Sequence, residues 1–384
     1  MGSGLRKFVA PEVVFGEGSR LLAGGYAQRL GMGRCLLVTD PGVEAAGWAD
    51  EAAASLREAG LDVVRFAAVS SNPRDHETMA GAELYVESQC DGLLTVGGGS
   101  VIDCAKGIGI VCSNGLPILE FAGVDRVAAP MPPLLCIPTT SGTAADVSQF
   151  AIINDVARRT KVAIISKAVV PDVSLVDPLP LTTMDAHLTA CTGVDALCHA
   201  FEAYASNAAS APTDLHALEA VRLIARALAR TLEQPDDMGA RVDMMMASTQ
   251  AGLAFSNASL GAVHAMAHSL GGYLDLPHGE CNALLLPHVA AYNYEHAAPR
   301  YDRLGRLLDL GMDQPRPARR RDSLVQRLLE LRASRGSGGG LAERGVSADD
   351  IAPMADKALV DPCNATNPRL PSQADLMALY REAM

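Results

Sequence analysis

The chain has 384 residues, of which 49% are hydrophobic and 20% charged. At roughly 150 residues per domain this predicts two or three domains with a full core, and excludes a disordered or coiled-coil chain. A formal net charge of −12 argues against non-specific binding to nucleic acid or to anionic membrane surfaces, both of which need cationic protein faces.

No apolar run reaches the 18 residues of a membrane span. The opening MGSGLRKFVAPEVVFG lacks the apolar stretch and small-residue cleavage site of a secretory signal. Nine scattered cysteines form no Cys-x-x-Cys pair, which disfavours a disulfide framework or a cysteine zinc site. A reduced, cytoplasmic, soluble protein is expected.

In chain order, Cys35–Thr39 reads as a buried strand and Val43–Ala59 as a helix. A strand at Val63–Ala68, a helix at Asp75–Gln89 and a strand at Gly92–Val96 follow. Residues 101–112 read as helix, Leu134–Pro138 as strand, and shorter strand-like pieces recur at 149–153, 162–165 and 173–176. This alternation predicts a parallel sheet covered on both faces. After Pro178-Leu179-Pro180 the texture becomes helical: Leu218, Val221, Ile224, Leu228 and Leu232 keep one apolar face, and 244–255 and 262–270 also read as helix. The expectation is an α/β domain over 1–180 and an all-helical domain over 181–384. The run Ser334–Gly340 reads as a flexible surface loop.

Three features of the first half point to a dinucleotide. Gly97-Gly98-Gly99-Ser100 stands at a strand-to-helix junction, where glycines allow close approach or positive φ and a helix start attracts an anion such as pyrophosphate. It is neither the Rossmann fingerprint, since Ile102 replaces the third glycine, nor a Walker A loop. Pro138-Thr139-Thr140-Ser141-Gly142-Thr143 follows another strand and suits phosphate or ribose contact. Asp40, ending the first strand, can accept ribose hydroxyls and repel a 2′-phosphate, which favours NAD. Each of these, taken alone, reads equally as a turn or helix cap.

The second half carries Asp195 and His199 four apart, His264 and His268 four apart, and His278 ten residues on. An i, i+4 pair shares one helix face. One carboxylate with three imidazoles would bind a divalent ion such as Fe(II) or Zn(II) and leave a position open for a substrate oxygen. An isolated pair of this kind is more often a helix-surface link; the co-occurrence argues for a centre.

Jointly the motifs resemble the iron-containing (group III) alcohol dehydrogenase family. The resemblance rests on Val13-Val14-Phe15-Gly16, on Gly97–Ser100 with Asp103 and Lys106, and on Pro138–Thr143. It continues through Gly193–Leu197 with His199, His264–His268, Pro277-His278-Gly279, Asn282 with Leu285–Val289, and Asn364–Arg369. It implies a dehydroquinate synthase-like architecture, NAD as cofactor and a divalent metal, iron foremost and zinc second. By motif match Asp195, His199, His264 and His278 correspond to the metal ligands, and His268 to an active-site histidine near nicotinamide and substrate. Gly97, Gly98, Gly99, Ser100 and Asp103 correspond to the pyrophosphate loop. Thr139, Thr140 and Lys161 correspond to further cofactor contacts, and Asp40 to the position tied to NAD preference. The resemblance further implies a small alcohol or aldehyde substrate, a primary alcohol, diol or hydroxy acid, and a homo-oligomer, commonly a dimer. Two other functions share the architecture: a dehydroquinate synthase-like lyase, disfavoured because no Lys or Arg lies between His264 and His278, and a non-catalytic NAD or aldehyde sensor. Ala333–Gly340 is richer in Gly and Ser than the family pattern there.

Overall fold

The computed structural model describes residues 7–310, 312, 314–334 and 339–384. The expected loop at Ser334–Gly340 thus lies largely outside the described residues, as do the first six positions. The chain forms two compact units. One takes in Ala10–Asp185 and Glu233–Met245, the other Ala186–Leu232 and Met246–Met384 together with Lys7–Val9. Neither unit is a single continuous stretch of chain.

In the α/β unit the elements run β1 (Glu12–Phe15), α1 (Ala23–Arg29), β2 (Arg34–Val38), α2 (Pro41–Ala45), α3 (Trp48–Glu58), β3 (Asp62–Phe66) and α4 (Asp75–Glu87). They continue as β4 (Gly92–Gly97), α5 (Gly99–Asn114), β5 (Gly123–Val124), β6 (Leu134–Pro138), β7 (Phe150–Asp155), β8 (Thr160–Ile165) and β9 (Val173–Val176). Six strands form one sheet in the order β1-β9-β6-β4-β2-β3, and every pairing in it is parallel.

Alternating residues of the central strands feed two cores. Leu36, Val38, Leu93, Leu134 and Cys136 face a cluster with Tyr85, Ile102 and Ile108. Cys35, Leu37, Leu94, Leu135 and Ile137 face another with Ala27, Ala53 and Leu56. Both faces are therefore apolar, which is why these strands read as continuous hydrophobic runs. Each fully buried leucine contributes roughly 1.5–3 kcal/mol.

Two details differ from the sequence reading. The helix expected over 43–59 is two helices, because Gly47 takes a left-handed φ of 85° between α2 and α3. The strand-like pieces at 149–153 and 162–165 do not join the main sheet. They form the antiparallel pair β7–β8, extended by β5 into a separate three-stranded sheet.

The helical unit contains α6 (Ala186–Ala205), α7 (Ala211–Glu233), the later part of α8 (Met238–Ala258) and α9 (Ala262–Leu274). Then come α10 (His278–Leu307), α11 (Pro317–Ser334), α12 (Ile351–Leu359) and α13 (Gln373–Glu382). Of the predicted apolar face on α7, Val221, Ile224 and Leu228 are buried and Leu218 and Leu232 half-buried. The helix α10 is broken at Ala297, whose backbone leaves the helical region two residues before Pro299. Among the described residues no helix is long and apolar enough to cross a membrane.

Candidate metal centre and dinucleotide loops

Parallel strands put all their carboxyl ends on one edge of the sheet, where open α/β folds bind ligands. Neighbouring strands β2, β4 and β6 end there in Asp40, in the glycine turn and in the Thr139–Thr143 segment. The last residues of β4 and β6, Gly97 and Pro138, are direct partners. Thr139 N–H donates to Gly97 O at 3.0 Å, and Thr39 Oγ1 donates to Val96 O at 2.8 Å.

The glycines serve close approach. None of Gly97, Gly98 and Gly99 takes a positive φ, so the conformational reason for them falls away. A Cβ on Gly99 would lie 2.4 Å from Thr143 Oγ1, and one on Gly98 3.0 Å from Thr140 Cγ2. No side chain caps α5, so its first-turn N–H groups stay available to an anion. That arrangement fits a pyrophosphate.

Asp40 caps α2, accepting from Gly42 N–H and Val43 N–H at 2.8 and 3.0 Å, both through Oδ1. The Ser71-Asn72 segment joins the remaining residues. Ser71 O accepts from Ser100 Oγ, and Asn72 Oδ1 accepts from Lys161 Nζ at 2.6 Å, which brings Lys161 of β8 beside the glycine turn. Asp103 is turned to β7, accepting Ile152 N–H at 3.2 Å. One turn on, buried Lys106 donates to Ser148 O and Phe150 O at 2.9 and 2.7 Å. Both side chains lash α5 to β7.

In the helical unit, α6 is buried along most of its length. Asp195, His199 and Glu202, spaced four and three apart, form the polar stripe of this apolar helix. His264 lies on α9, and His278 opens α10 directly after Pro277. Donor atoms of Asp195, His199, His264 and His278 all fall within 4.8 Å of one another. The Nε2 atoms of the three imidazoles lie 3.9, 3.9 and 4.0 Å from Asp195 Oδ1.

The chemistry of this donor set fits a divalent ion. Asn282, one turn into α10, places its Nδ2 at 2.7 Å from Asp195 Oδ1, 3.1 Å from His264 Nε2 and 3.3 Å from His278 Nε2. Three lone pairs thus point at one small region, more than a single amide can satisfy, while Asn282 Oδ1 is buried without a partner. One carboxylate and three imidazoles, all but His278 buried, suit Fe(II) or Zn(II).

His264 is fixed from behind: its Nδ1 lies 2.5 Å from Glu202 Oε2. Burial pushes the Glu202 carboxyl up to about 7 and the His264 imidazole down to about 3. The Oε2–Nδ1 contact suits a ring hydrogen on Nδ1, which would leave the lone pair on Nε2. Phe255 stacks on His199 with ring centroids 4.3 Å apart.

His268 stands one turn beyond His264 and stacks on His278 at 5.4 Å. Its Nδ1 goes instead to Asp361 Oδ2 at 2.8 Å, and Asp361 Oδ1 accepts Cys363 N–H at 2.8 Å. Burial opposes ionisation of Asp361, but the His268 ring and the Cys363 N–H outweigh it and hold the carboxyl below its usual range. His268, Asp361 and Cys363 also lie within 4.8 Å of one another. Burial raises the Cys363 thiol well above its usual value, so this group is a hydrogen-bonded dyad beside a neutral thiol. Sequence reasoning missed Glu202 and Asp361. Glu202 has a signal, three residues after His199 on the same helix face; Asp361, before a proline, reads only as a helix cap.

The α/β unit, with glycine- and hydroxyl-rich turns on the carboxyl edge of its sheet, and the helical unit, with a one-carboxylate, three-imidazole cluster, carry the parts that a metal-dependent oxidoreductase of this architecture needs. The profile of the iron-containing alcohol dehydrogenases matches residues 10–178, and that of the family's C-terminal region matches 189–384. The chain belongs to the iron-containing alcohol dehydrogenase family and is an alcohol dehydrogenase. It is 38% identical to a 1,3-propanediol dehydrogenase of Citrobacter freundii, covering 98% of each chain. It is 35% identical to an NAD-dependent methanol dehydrogenase of Bacillus methanolicus, over 98% of this chain and 99% of that one. The solved structure of an alcohol dehydrogenase from Oenococcus oeni superposes with a TM-score of 0.95 at 34% identity, covering 99% of this chain and 100% of the other.

Proposed function

We propose that this enzyme interconverts a small primary alcohol, diol or hydroxy acid and its aldehyde with NAD as hydride carrier. Asp195, His199, His264 and His278 would hold Fe(II), with Zn(II) as the competing ion. The observation that carries the reading is the convergence of three Nε2 atoms on Asp195 Oδ1. The propanediol and NAD-dependent methanol dehydrogenases among its relatives support the substrate size and the cofactor.

When bound, the divalent ion supplies Lewis acidity toward the alcohol oxygen. Gly97, Gly98, Gly99 and Ser100 would hold the pyrophosphate at the start of α5, with Thr139, Thr140 and Lys161 as further cofactor contacts. Asp103 contributes by holding α5 in place. Asp40 uses Oδ1 as a helix cap and offers Oδ2 to the adenosine ribose, which disfavours a 2′-phosphate. His268, oriented through Nδ1 by Asp361, would accept the hydroxyl proton at Nε2. NAD held there would supply the hydride acceptor, so that alcohol and NAD⁺ would give aldehyde, NADH and a proton.

A cytoplasmic homodimer is the setting we assign. The nine free cysteines fit a reducing compartment, and β1, at the edge of the six-stranded sheet, offers a strand for pairing with a second copy.

The test is anaerobic purification with metal analysis, followed by NAD⁺ reduction at 340 nm. The panel holds ethanol, butanol, 1,2-propanediol, 1,3-propanediol, glycerol and 4-hydroxybutyrate, each with and without Fe(II) or Zn(II). Metal-dependent NADH formation is expected. A protein that holds metal and binds NAD⁺ yet forms no NADH with any of them overturns the reading.

A further inference from the structure

Glu202 is not among the four candidate ligands, yet it is buried at the root of the helix that carries His264. Its Oε2 meets His264 Nδ1 at 2.5 Å and its Oε1 accepts Val263 N–H at 2.7 Å. A Cβ on Gly261 would stand 2.9 Å from that Oε1 and 2.6 Å from Asn367 Oδ1, so glycine at this position lets the carboxylate close on the helix start. Asn367 Oδ1 takes the neighbouring Ala262 N–H at 3.1 Å. The first turn of α9 thus has two side-chain acceptors, and only Glu202 also reaches the imidazole.

We propose that Glu202 is a positioning residue of the metal centre: its carboxylate fixes the ring orientation of His264 and keeps the Nε2 lone pair free for the ion. The inference rests on the ligand assignment above. Asp195 and His199 project from the same face of α6, so one helix supplies two ligands and the group that aims a third. Burying a carboxylate here is costly unless every lone pair is used, and a metal-bound imidazole whose other nitrogen meets a carboxylate is the arrangement that uses them.

The amide of Glu202→Gln cannot reproduce this. With its oxygen on His264 Nδ1, its NH2 faces the Val263 N–H. Turned over, the NH2 faces Nδ1 and drives the ring proton onto Nε2, where the ion needs a lone pair. In either orientation metal binding suffers.

The experiment measures Zn(II) affinity by competition with a chelator on the metal-stripped full chain, and the visible spectrum after Co(II) loading. Wild type, Glu202→Gln, Glu202→Asp and Asn367→Ala are compared, with Tm recorded for each. Asn367→Ala removes a helix-start acceptor without touching the imidazole. The expected result is a Zn(II) Kd raised about 10–100-fold by Glu202→Gln with an altered Co(II) spectrum. A smaller rise is expected for Glu202→Asp. Asn367→Ala should lower Tm and leave Kd near wild type. If Glu202→Gln does not fold, Glu202→Asp against Asn367→Ala decides by the same criterion. Unchanged Kd and spectrum in the Glu202 variants, or an equal loss in Asn367→Ala, overturns the proposal. A wild type that takes up no metal overturns the ligand assignment and this inference with it.

Discussion

His268 Nδ1 lies 2.8 Å from Asp361 Oδ2, although the two residues are 93 positions apart in the chain. This bond separates His268 from His264, four residues earlier on the same helix, whose Nδ1 is held by Glu202. Two histidines of like spacing thus have different carboxylates behind them, and the proposed roles differ accordingly.

Replacing His268 with alanine should lower kcat by about 10²–10⁴-fold, the usual range for a positioned proton acceptor. Metal content should stay at the wild-type level. Loss of metal in step with activity would make His268 a ligand instead.

Asp361 also marks the acid stability of the helical unit. Its folded value lies below the usual 3.8, so the unfolded chain binds its proton first. The carboxylate's stabilisation is complete above pH 3.8 and fades as pH falls through the lower folded value. Urea unfolding at a series of pH values should show the gap between wild type and Asp361→Asn shrinking below pH 3.8. A gap constant down to pH 2 would contradict this.

Gly279 follows His278 where α10 meets α6. A Cβ there would sit 2.3 Å from the carbonyl oxygen of Cys191, and backbone cannot give way as a side-chain tip can. Gly279→Ala should cost about 1–3 kcal/mol of stability and weaken Zn(II) binding by at least about tenfold, because the start of α10 moves with His278 on it. Wild-type Tm and affinity would show that the helix start is more yielding than its packing indicates.

Asp40→Ser keeps a capping side chain on α2 while removing the negative charge. The ratio of kcat/KM for NADP to that for NAD should rise by at least about tenfold, since a 2′-phosphate no longer meets a carboxylate. An unchanged ratio would place cofactor choice elsewhere.

Much of this was legible because it is local. β2, β4 and β6 are short apolar runs ending in polar or glycine-rich turns, and Leu134–Pro138 is bounded in the structure as the sequence reading has it. Strand pairing was less legible: β7 and β8 have ordinary strand composition, and nothing in them announces a separate sheet. Gly47 was overlooked as a helix break because the apolar pattern continues across it. Glu202 and Asp361 were missed because their partners, His264 and His268, lie 62 and 93 residues away. Lys106, part of a motif that suggests phosphate chemistry, is a buried tie to backbone carbonyls.

The four donors come from three helices that are far apart in sequence, α6, α9 and α10. An ion gripping all of them is also a staple, closing long loops that the unfolded chain would leave open. Ligand present at a hundred times its Kd stabilises the native state by about 2.7 kcal/mol. The lifetime of this enzyme against proteases and heat would then follow metal supply. Loss of the ion would shorten that lifetime without abolishing the fold, since a few kcal/mol is a fraction of a domain's total stability.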